Sequence, residues 1–547
     1  MKKFLMLIFL ALCGYLGYLY INLEPEAAPI DLYTLIPSNA IYITEMEQPV
    51  DKWQQFSKGK IWKYLKTNEY LAEVNKSVVN LEQVLYGKET LLNRILSDNL
   101  LISAHITETG RDYDYLYLIN LNSIGRLKQA LPSLIKVMET GGYKIGKEPY
   151  GELIIYKMTD ETGATLSFCL KNNALLASYH LPLLKKAIDT TPEKSVSANP
   201  DFNYIKQLTD NRGISNFYLQ YRTVDDWVAC YASTMSPPLK EAINMLNFSG
   251  LNVKVGDETM EFKGKSLLNP DSKSYLKAIT KVGKAPIQAH NVLPSNTSFY
   301  LSLCFDDFGD FRNALGEMAG ENDDDKGIIG EFIEKELSKE MPEWIDQEIA
   351  LAMVPNGVND TKQTYVAVIP TGNNKEKVAE KLESILQTLD QLNPLSIFQN
   401  DKKKTHNGVR IIKLPGAKML RKLGGGLLKD FEKPYLALID QYLVLCDSED
   451  LMKKIIDDYQ SGNSLPETEG YKAFFNSFER QSNVYMYVQS KEIYPFMSAK
   501  LKGSKKKSLE ENKTYFLSFP HIGLQMLPEN NIYQTYLQAS FTEFEEQ

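Results

Sequence analysis

The sequence has few of the residues that most often mark a chemical site. It contains five histidines and five cysteines in 547 residues, and no Cys-x-x-Cys spacing occurs. The histidines are His105, His180, His290, His406 and His521. They form no HxxH or HExxH pattern and no His–Cys pair at ligand spacing, and they do not correspond between the two halves of the chain. We therefore predict no catalytic, cofactor-binding or metal-binding residue, and no cofactor.

An excess of positive charge is also absent. The net charge is -8, whereas a broad nucleic-acid surface needs a basic face. The lysine runs at 401–405 and 503–508 are short, and we interpret them as solvated loops. We predict no nucleic-acid partner.

Phosphate and calcium loops are incomplete. Gly264-Lys265-Ser266 has the end of a phosphate loop, but Thr259 stands where that motif needs a glycine. Residues 423–428 are glycine-rich without dinucleotide-binding spacing. Residues 321–327 are acidic, but Lys326 takes the place before the glycine where an EF-hand needs an acid or amide. None of the three is predicted to bind a ligand.

Three aspartates and four cysteines have structural interpretations. Asp306, Asp307 and Asp310 are expected to cap a helix, because side-chain oxygens at that position accept from free backbone N–H groups. The four cysteines beyond the N-terminus are far apart, and we interpret them as buried free thiols on strands. They are Cys169, Cys230, Cys304 and Cys446.

The one long apolar run is at the N-terminus. Two lysines precede Phe4–Ile21, which carries no charge, and an acidic segment follows. At 1.5 Å per residue this run nearly crosses a bilayer, and the flanking charges place the lysines in the cytoplasm. We predict a single-pass inner-membrane protein with its body in the periplasm and membrane contact through residues 4–21. A lipoprotein anchored at Cys13 and a cleaved signal peptide remain alternatives.

Four phrases recur in the same order along the chain. Pro37-Ser38-Asn39 matches Pro294-Ser295-Asn296, 183–189 matches 451–457, Ser215 matches Ser482, and Gly250 matches Gly523. Four collinear matches indicate a tandem duplication. We predict an anchor or signal at 1–22, a linker at 23–33, and repeats at 34–283 and 284–547, with a boundary near 281–291.

The fold class follows from the order of the elements. Strand-like runs arrive in neighbouring pairs, which favours antiparallel pairing. The prediction is α+β, with two tandem homologous domains, each a mainly antiparallel sheet with helices packed on one face. Trp53 and Phe311 fall at the same place on the first helix of each copy and are expected to contact the sheet. Residues 413–435 are interpreted as a long hairpin insertion.

An apolar N-terminal run and a Pro-Ser-Asn phrase before the first strand of each copy are present. In these features the chain resembles a family of uncharacterised envelope proteins of Bacteroidetes type. That resemblance implies location and architecture, and it brings no catalytic residues. The function predicted is a non-enzymatic, membrane-tethered extracytoplasmic binding or scaffold protein whose partner is an envelope protein, a lipid or a glycan. An envelope hydrolase with a site assembled from distant residues and a lipid or lipoprotein carrier are the alternatives.

Overall fold

The computed structural model divides the chain into two compact units. The first unit contains residues 1–235 and 246–267, and the second contains residues 236–245 and 268–547. The described residues are 30–68, 99–120, 135, 139, 143–230, 243–316, 343–392, 405–413 and 434–544, without 109, 111, 161, 273–274, 358–359 and 531. Residues 1–29, which include the apolar N-terminal run, lie outside them.

The first unit is built on an antiparallel sheet. Its described strands run in the spatial order β4-β5-β6-β7-β3-β2-β1-β8-β9-β10. Their bounds are β1 Tyr42–Glu47, β2 Asn99–Ile106, β3 Tyr113–Asn120, β4 Lys144–Tyr150, β5 Leu153–Thr159, β6 Thr165–Lys171, β7 Ala174–Ser178, β8 Ser215–Gln220, β9 Leu246–Val255 and β10 Thr259–Leu268.

Helices join these strands. They are α1 Pro49–Lys58, α2 Lys60–Leu65, α3 Leu181–Asp189, α4 Pro200–Leu208 and α5 Val224–Ala229. Helix α4 begins at Pro200, a position where the missing proline N–H would have had no partner within the helix. The side chain of Asn199 accepts from the backbone N–H groups of Asp201 and Phe202. Helices α3 and α4 bury their apolar sides against one face of the sheet.

The second unit repeats this topology. Its main sheet has the described order β15-β16-β17-β18-β14-β13-β12-β20-β21-β22, and β11 pairs with β19 separately. The strands are β11 Ala285–Pro286, β12 Phe299–Cys304, β13 Glu348–Pro355, β14 Gln363–Pro370, β15 Thr405–His406, β16 Val409–Lys413, β17 Tyr435–Ile439, β18 Tyr442–Cys446, β19 Gln481–Ser482, β20 Val484–Gln489, β21 His521–Glu529 and β22 Ile532–Ser540. The helices are α6 Phe308–Gly316, α7 Lys375–Leu392, α8 Glu449–Ser461, α9 Glu469–Phe475, α10 Ser490–Lys500, α11 Gly503–Glu511 and α12 Lys513–Leu517.

The strand register fixes which residues occupy equivalent positions in the two units. Tyr42 lies opposite Ala104 and Leu219, and Phe299 lies opposite Met353 and Val488 in the same strand order. The predicted mixture of helices and antiparallel sheet is confirmed, and the shared topology fits a duplicated domain. Tyr42 and Phe299 are thus equivalent, and so are their partners Leu219 and Val488. This pairing is shifted by two residues from the sequence alignment of Ser215 with Ser482, which was therefore wrong. Side-chain similarity had hidden the shift, whereas backbone pairing reveals it.

The Pro-Ser-Asn phrases occupy equivalent positions. Pro37 forms a bridge with Ser195, and Pro294 forms one with Ser464. The carbonyl of Pro37 accepts from Ala40, as the carbonyl of Pro294 does from Thr297. Each phrase is thus a turn that leads into the first strand of its sheet.

Gly250 and Gly523 allow a helix to lie directly on the sheet. Gly250 is opposite Tyr218, and Gly523 is opposite Tyr487. A Cβ at Gly250 would be 2.5 Å from Ile205 Cγ2 on α4, and one at Gly523 would be 2.9 Å from Phe474 Cε1 on α9. Both glycines are required by the same close approach, which confirms their equivalence.

The central strands are covered on both faces. All five residues of β7 and all five of β18 are buried. Because neighbouring side chains point to opposite faces of a sheet, both faces of these strands must be covered. In the first unit, Trp227 of α5 packs on Tyr42 and Tyr113, on the face opposite to α3 and α4. The prediction of helices on one face was therefore wrong, and the uninterrupted apolar runs of these strands were the available signal.

Two smaller predictions are corrected. Cys169, Cys304 and Cys446 are buried free thiols on strands as predicted, but Cys230 is half-buried and follows α5. Residues 503–508 begin helix α11 and do not form a loop, where Lys506 and Lys507 pair with acids one turn later. Residues 401–404 lie outside the described residues.

Within the described ranges, which begin at residue 30, every helix is too short or too polar to cross a bilayer.

Candidate functional site

The histidines occupy separate structural positions. Burial lowers the pKa of His105 and of His290 to about 3 and that of His521 to about 4. His406 contacts Asp457 at 2.6 Å, and His180 directly precedes α3. Among described residues, no group of three or more His, Cys, Asp or Glu side chains could hold a metal ion.

Ser103 and His105 form a buried pair on strand β2. Ser103 Oγ lies 2.9 Å from His105 Nε2. Both side chains are almost completely buried, and His105 Nδ1 has no hydrogen-bond partner. A nucleophile needs access to substrate and an oriented base, so this pair does not favour the hydrolase alternative.

The phosphate-like and acidic motifs have structural roles. Gly264 lies within β10, where a Cβ would be 2.0 Å from the carbonyl oxygen of Gly250. Asp307 Oδ1 accepts from the backbone N–H of Asp310, and Asp306 Oδ1 accepts from that of Gly283 at 2.7 Å. Asp307 therefore caps α6 as predicted, whereas Asp306 binds Gly283 outside the helix, and Gly264 permits close strand packing. Motifs 321–327 and 423–428, and nearly all of 413–435, lie outside the described residues.

Trp53 and Phe311 differ in their surroundings. Phe311 is buried and stacks on Phe305 at 5.0 Å between ring centroids. Trp53 is half-buried and packs on Trp62 of α2 at 4.8 Å. The ring contacts of the two aromatics therefore differ between the copies, and their contact with the sheet stays a prediction.

The first unit contains an open cleft at the end of strands β1, β2 and β3. Its volume is about 410 Å³, which is within the usual range for small-molecule sites. The lining residues are Ile30, Asp31, Leu32, Tyr33, Glu47, Gln48, Asn99, Leu101, Asn120 and Lys206. We call this set the first-unit cleft.

The base of the first-unit cleft is held by a buried carboxylate. Glu45 is 5% exposed and accepts from Asn99 Nδ2 at 3.1 Å and from the Tyr218 hydroxyl at 3.1 Å. Burial raises the pKa of Tyr33 and of Tyr218, so both phenols stay protonated. These contacts fix the floor of the cleft before any ligand enters.

The rim of the first-unit cleft carries charge. Lys206 Nζ lies 3.8 Å from the centroid of the Tyr33 ring. Gln48 has φ 49°, a left-handed conformation that is uncommon for a residue with a side chain, and it turns the chain from β1 into α1. Asp31 and Glu47 supply carboxylates. The cleft can therefore offer ionic contacts of both signs.

Asn120 places an unsatisfied acceptor at the cleft. Its side chain is 7% exposed, and Asn120 Nδ2 donates to the Ile30 carbonyl at 3.0 Å. Asn120 Oδ1 is buried and has no hydrogen-bond partner. A buried polar atom left in this state costs free energy.

Three of the equivalent positions in the second unit carry buried aromatic side chains. Strand register makes Phe305 equivalent to Gln48 and His290 equivalent to Tyr33. Helix placement on the sheet makes Phe475 equivalent to Lys206. Phe475 is 5% exposed and packs on His290 at 4.7 Å. Where the first unit has a charged rim, the second unit has an aromatic cluster.

A different carboxylate ties down the second unit at this place. Glu348 is fully buried and accepts from the hydroxyls of Tyr300 and Ser302 and from the backbone N–H groups of Gln288 and Ala289. These bonds attach the turn at Ala289–Val292 to the sheet. Burial raises the pKa of Glu348.

Sequence reasoning named none of the residues of the first-unit cleft. They come from five separated segments, and single asparagines, glutamates and lysines have no motif. The one signal available was the difference between copies, because Lys206 and Phe475 occupy equivalent places. That comparison requires the helix alignment that the structure supplies.

No curated protein sequence matches the chain. Crystal form I of TP0453 is similar with a TM-score of 0.25 and 8% identity, over 45% of this chain and 81% of that one. Crystal form III has the same TM-score and identity over 48% and 91%. A likeness this weak carries no argument about function.

The sequence model of one family matches two segments of the chain, residues 4–303 and 334–522. These segments fit the repeated topology of the two units. The chain belongs to this family, which is described as a protein of unknown function, DUF3352.

Proposed function

We propose that this is a non-enzymatic binding protein, tethered to a bacterial inner membrane by residues 4–21 with its body in the periplasm, and that it binds ligand in the first-unit cleft. The observation that carries the proposal is the contrast between the copies. One topology, used twice, leaves an open, charged cleft in the first unit and a buried aromatic cluster at the same place in the second.

A cleft of this kind supports binding in three ways. Its volume of about 410 Å³ suits a small molecule or a short segment of a larger one. Its floor is fixed by the bonds to Glu45. An acceptor, Asn120 Oδ1, has no protein donor. Preformed sites lose less conformational entropy when a ligand binds.

The tether is supported by the sequence. The uncharged run Phe4–Ile21 follows two lysines and precedes an acidic segment, which is the charge distribution of an N-terminal anchor with an extracytoplasmic body. A lipid anchor at Cys13 is the alternative form of attachment.

The binding proposal is tested by closing the cleft with the residues of the second unit. Variant Lys206→Phe with Gln48→Phe should lose small-molecule binding, measured by ligand-observed NMR against a mixed library of amino acids, peptides, sugars and short lipids. Lys254→Phe, an exposed position of β9 in the same unit, is the control. Equal binding by the closed variant, or no binding by the parent, would contradict the proposal.

The tether is tested by fractionating cells that express the full chain, a Cys13→Ser variant and a chain lacking residues 1–28. The first two should stay with membranes after alkaline washing, and the third should be released. Loss of membrane attachment in the Cys13→Ser variant would replace the peptide anchor with a lipid anchor.

A further inference from the structure

We infer, resting on the proposed function, that the first-unit cleft takes a zwitterionic ligand, a free amino acid or a short peptide. In this arrangement the ligand carboxylate contacts Lys206 and the ligand ammonium lies toward Asp31 and Glu47. The inference combines three features of the lining residues.

The first feature is a cation without an anionic partner. Lys206 contacts the Tyr33 ring, and no described carboxylate forms an ion pair with it. Its place on α4 is set by the packing of Phe202 and Ile205 on the sheet. A ligand carboxylate would supply the missing charge, and a charge-assisted hydrogen bond is stronger than a neutral one.

The second feature is a pair of carboxylates, each bonded through one oxygen only. Asp31 Oδ1 accepts from the backbone N–H of Tyr33, and Glu47 Oε1 accepts from Asn211 Nδ2 at 2.9 Å. Among described residues, no donor contacts Asp31 Oδ2 or Glu47 Oε2. An ammonium group has three donors and no acceptor, so it matches these oxygens.

The third feature is Asn120 Oδ1, which requires a donor. The bond from Asn120 Nδ2 to the Ile30 carbonyl fixes the orientation of the amide and leaves Oδ1 buried and without a hydrogen-bond partner. A peptide N–H or an ammonium N–H that displaces the groups covering Asn120 Oδ1 can donate to it. An acyl chain cannot, which disfavours a lipid.

A neutral glycan fits less well. Sugars commonly stack on an open aromatic face, but Lys206 lies over the face of Tyr33, and Phe202 packs against the same ring at 5.2 Å. A neutral ligand would also leave Lys206 without an anion. The presence of both a positive and a negative charge therefore distinguishes the zwitterionic ligand from a neutral glycan.

The test uses the full chain in detergent and isothermal titration with single amino acids and with di- and tripeptides of alanine, lysine and glutamate. At least one should bind, and its N-acetylated and its C-amidated forms should each bind at least tenfold more weakly. Lys206→Met should weaken binding of the free peptide tenfold or more but change binding of the C-amidated peptide little. Lys254→Met should change neither.

The other outcomes separate the inference from the proposed function. Suppose that no peptide or amino acid binds, but that maltose or a lysophospholipid binds and that closing the cleft abolishes this binding. In that case the zwitterion inference fails and the binding function stands. If capped and free peptides bind equally well, the inference also fails. If no probe and no library compound binds, both fail.

Discussion

Lys186 Nζ donates a hydrogen bond to Asn39 Oδ1 at 3.0 Å, and Lys454 Nζ donates to Asn296 Oδ1 at 3.3 Å. The first pair joins helix α3 to the Pro-Ser-Asn turn of the first unit, and the second joins α8 to that of the second unit. In each unit, the helix and the Pro-Ser-Asn turn are separate phrases in the sequence, and a hydrogen bond joins them in the structure.

A second bond of the same helices is also repeated. Asp189 on α3 accepts from the Tyr150 hydroxyl at 2.6 Å, and Asp457 on α8 contacts His406 Nε2 at 2.6 Å. Tyr150 and His406 each end the outermost strand of their sheet, β4 and β15. The similar helix sequences 183–189 and 451–457 therefore keep two polar contacts as well as an apolar side.

Loss of the Lys186–Asn39 bond should destabilise the turn more than the unit. We expect Asn39→Ala to increase hydrogen exchange at Ser38, whose N–H donates to the Lys194 carbonyl, while the free energy of unfolding falls by about 1 kcal/mol or less because the bond is exposed. A double-mutant cycle with Lys186→Met should give a coupling energy of the same small size. Unchanged exchange at Ser38 would show that the bond does not hold the turn.

Gly250→Ala should destabilise the first unit severely. Its Cβ would be 2.2 Å from Thr209 Oγ1 and 2.5 Å from Ile205 Cγ2, so α4 would have to move away from the sheet, at a cost of about 1–3 kcal/mol. Urea denaturation measures the effect.

The control for that substitution is Gly146→Ala on strand β4, where the nearest atom to the new Cβ is 3.7 Å away. It should change stability much less. A Gly250→Ala variant as stable as Gly146→Ala would contradict the close packing of α4. Gly523→Ala in the second unit should behave like Gly250→Ala, since its Cβ would be 2.7 Å from Phe478 Cζ.

Glu348 should make stability depend on pH. Burial raises its pKa in the folded protein above the ordinary glutamate value of 4.5. The folded state therefore binds the proton more tightly than the unfolded state, and the free energy of unfolding should fall as pH rises from 4.5 through the raised pKa.

Glu348→Gln has no titrating group at this position, so that slope should be smaller in the variant. Urea unfolding of both proteins at several pH values gives the difference. Glu348→Leu is a second comparison, because it leaves the N–H groups of Gln288 and Ala289 without their acceptor and should cost more than about 2 kcal/mol. Parallel pH profiles for the parent and Glu348→Gln would contradict the raised pKa.

The four described thiols should differ in reactivity. Burial raises the pKa of Cys169 and of Cys446 to about 12 and raises that of Cys304 as well, and a protonated, buried thiol reacts slowly. Cys230 is half-buried. Iodoacetamide at neutral pH, followed by peptide mapping, should label Cys230 at least tenfold faster than the other three. Equal labelling in urea is the control, and rapid native labelling of Cys169 would contradict its burial.

Strand and helix positions in the described repeat could largely be predicted from the sequence. The Pro-Ser-Asn turns, the helix 183–189 with its equivalent 451–457, and the glycines at 250 and 523 are local signals: proline and asparagine favour turns, apolar spacing favours an amphipathic helix, and glycine marks a close approach. Covering of both sheet faces was missed, although β7 and β18 have no polar alternation.

The sequence by itself determined the repeat, the apolar N-terminal run and the types of the described elements, because these depend on neighbouring residues. Only the tertiary structure decided that Lys206 and Phe475 stand at equivalent places, and that Asn120 and Glu47 border one cleft with Lys206. Those relations depend on strand register and helix placement, which bring distant segments together. The physical reason is that side chains on separate strands become neighbours only when backbone pairing fixes their alignment.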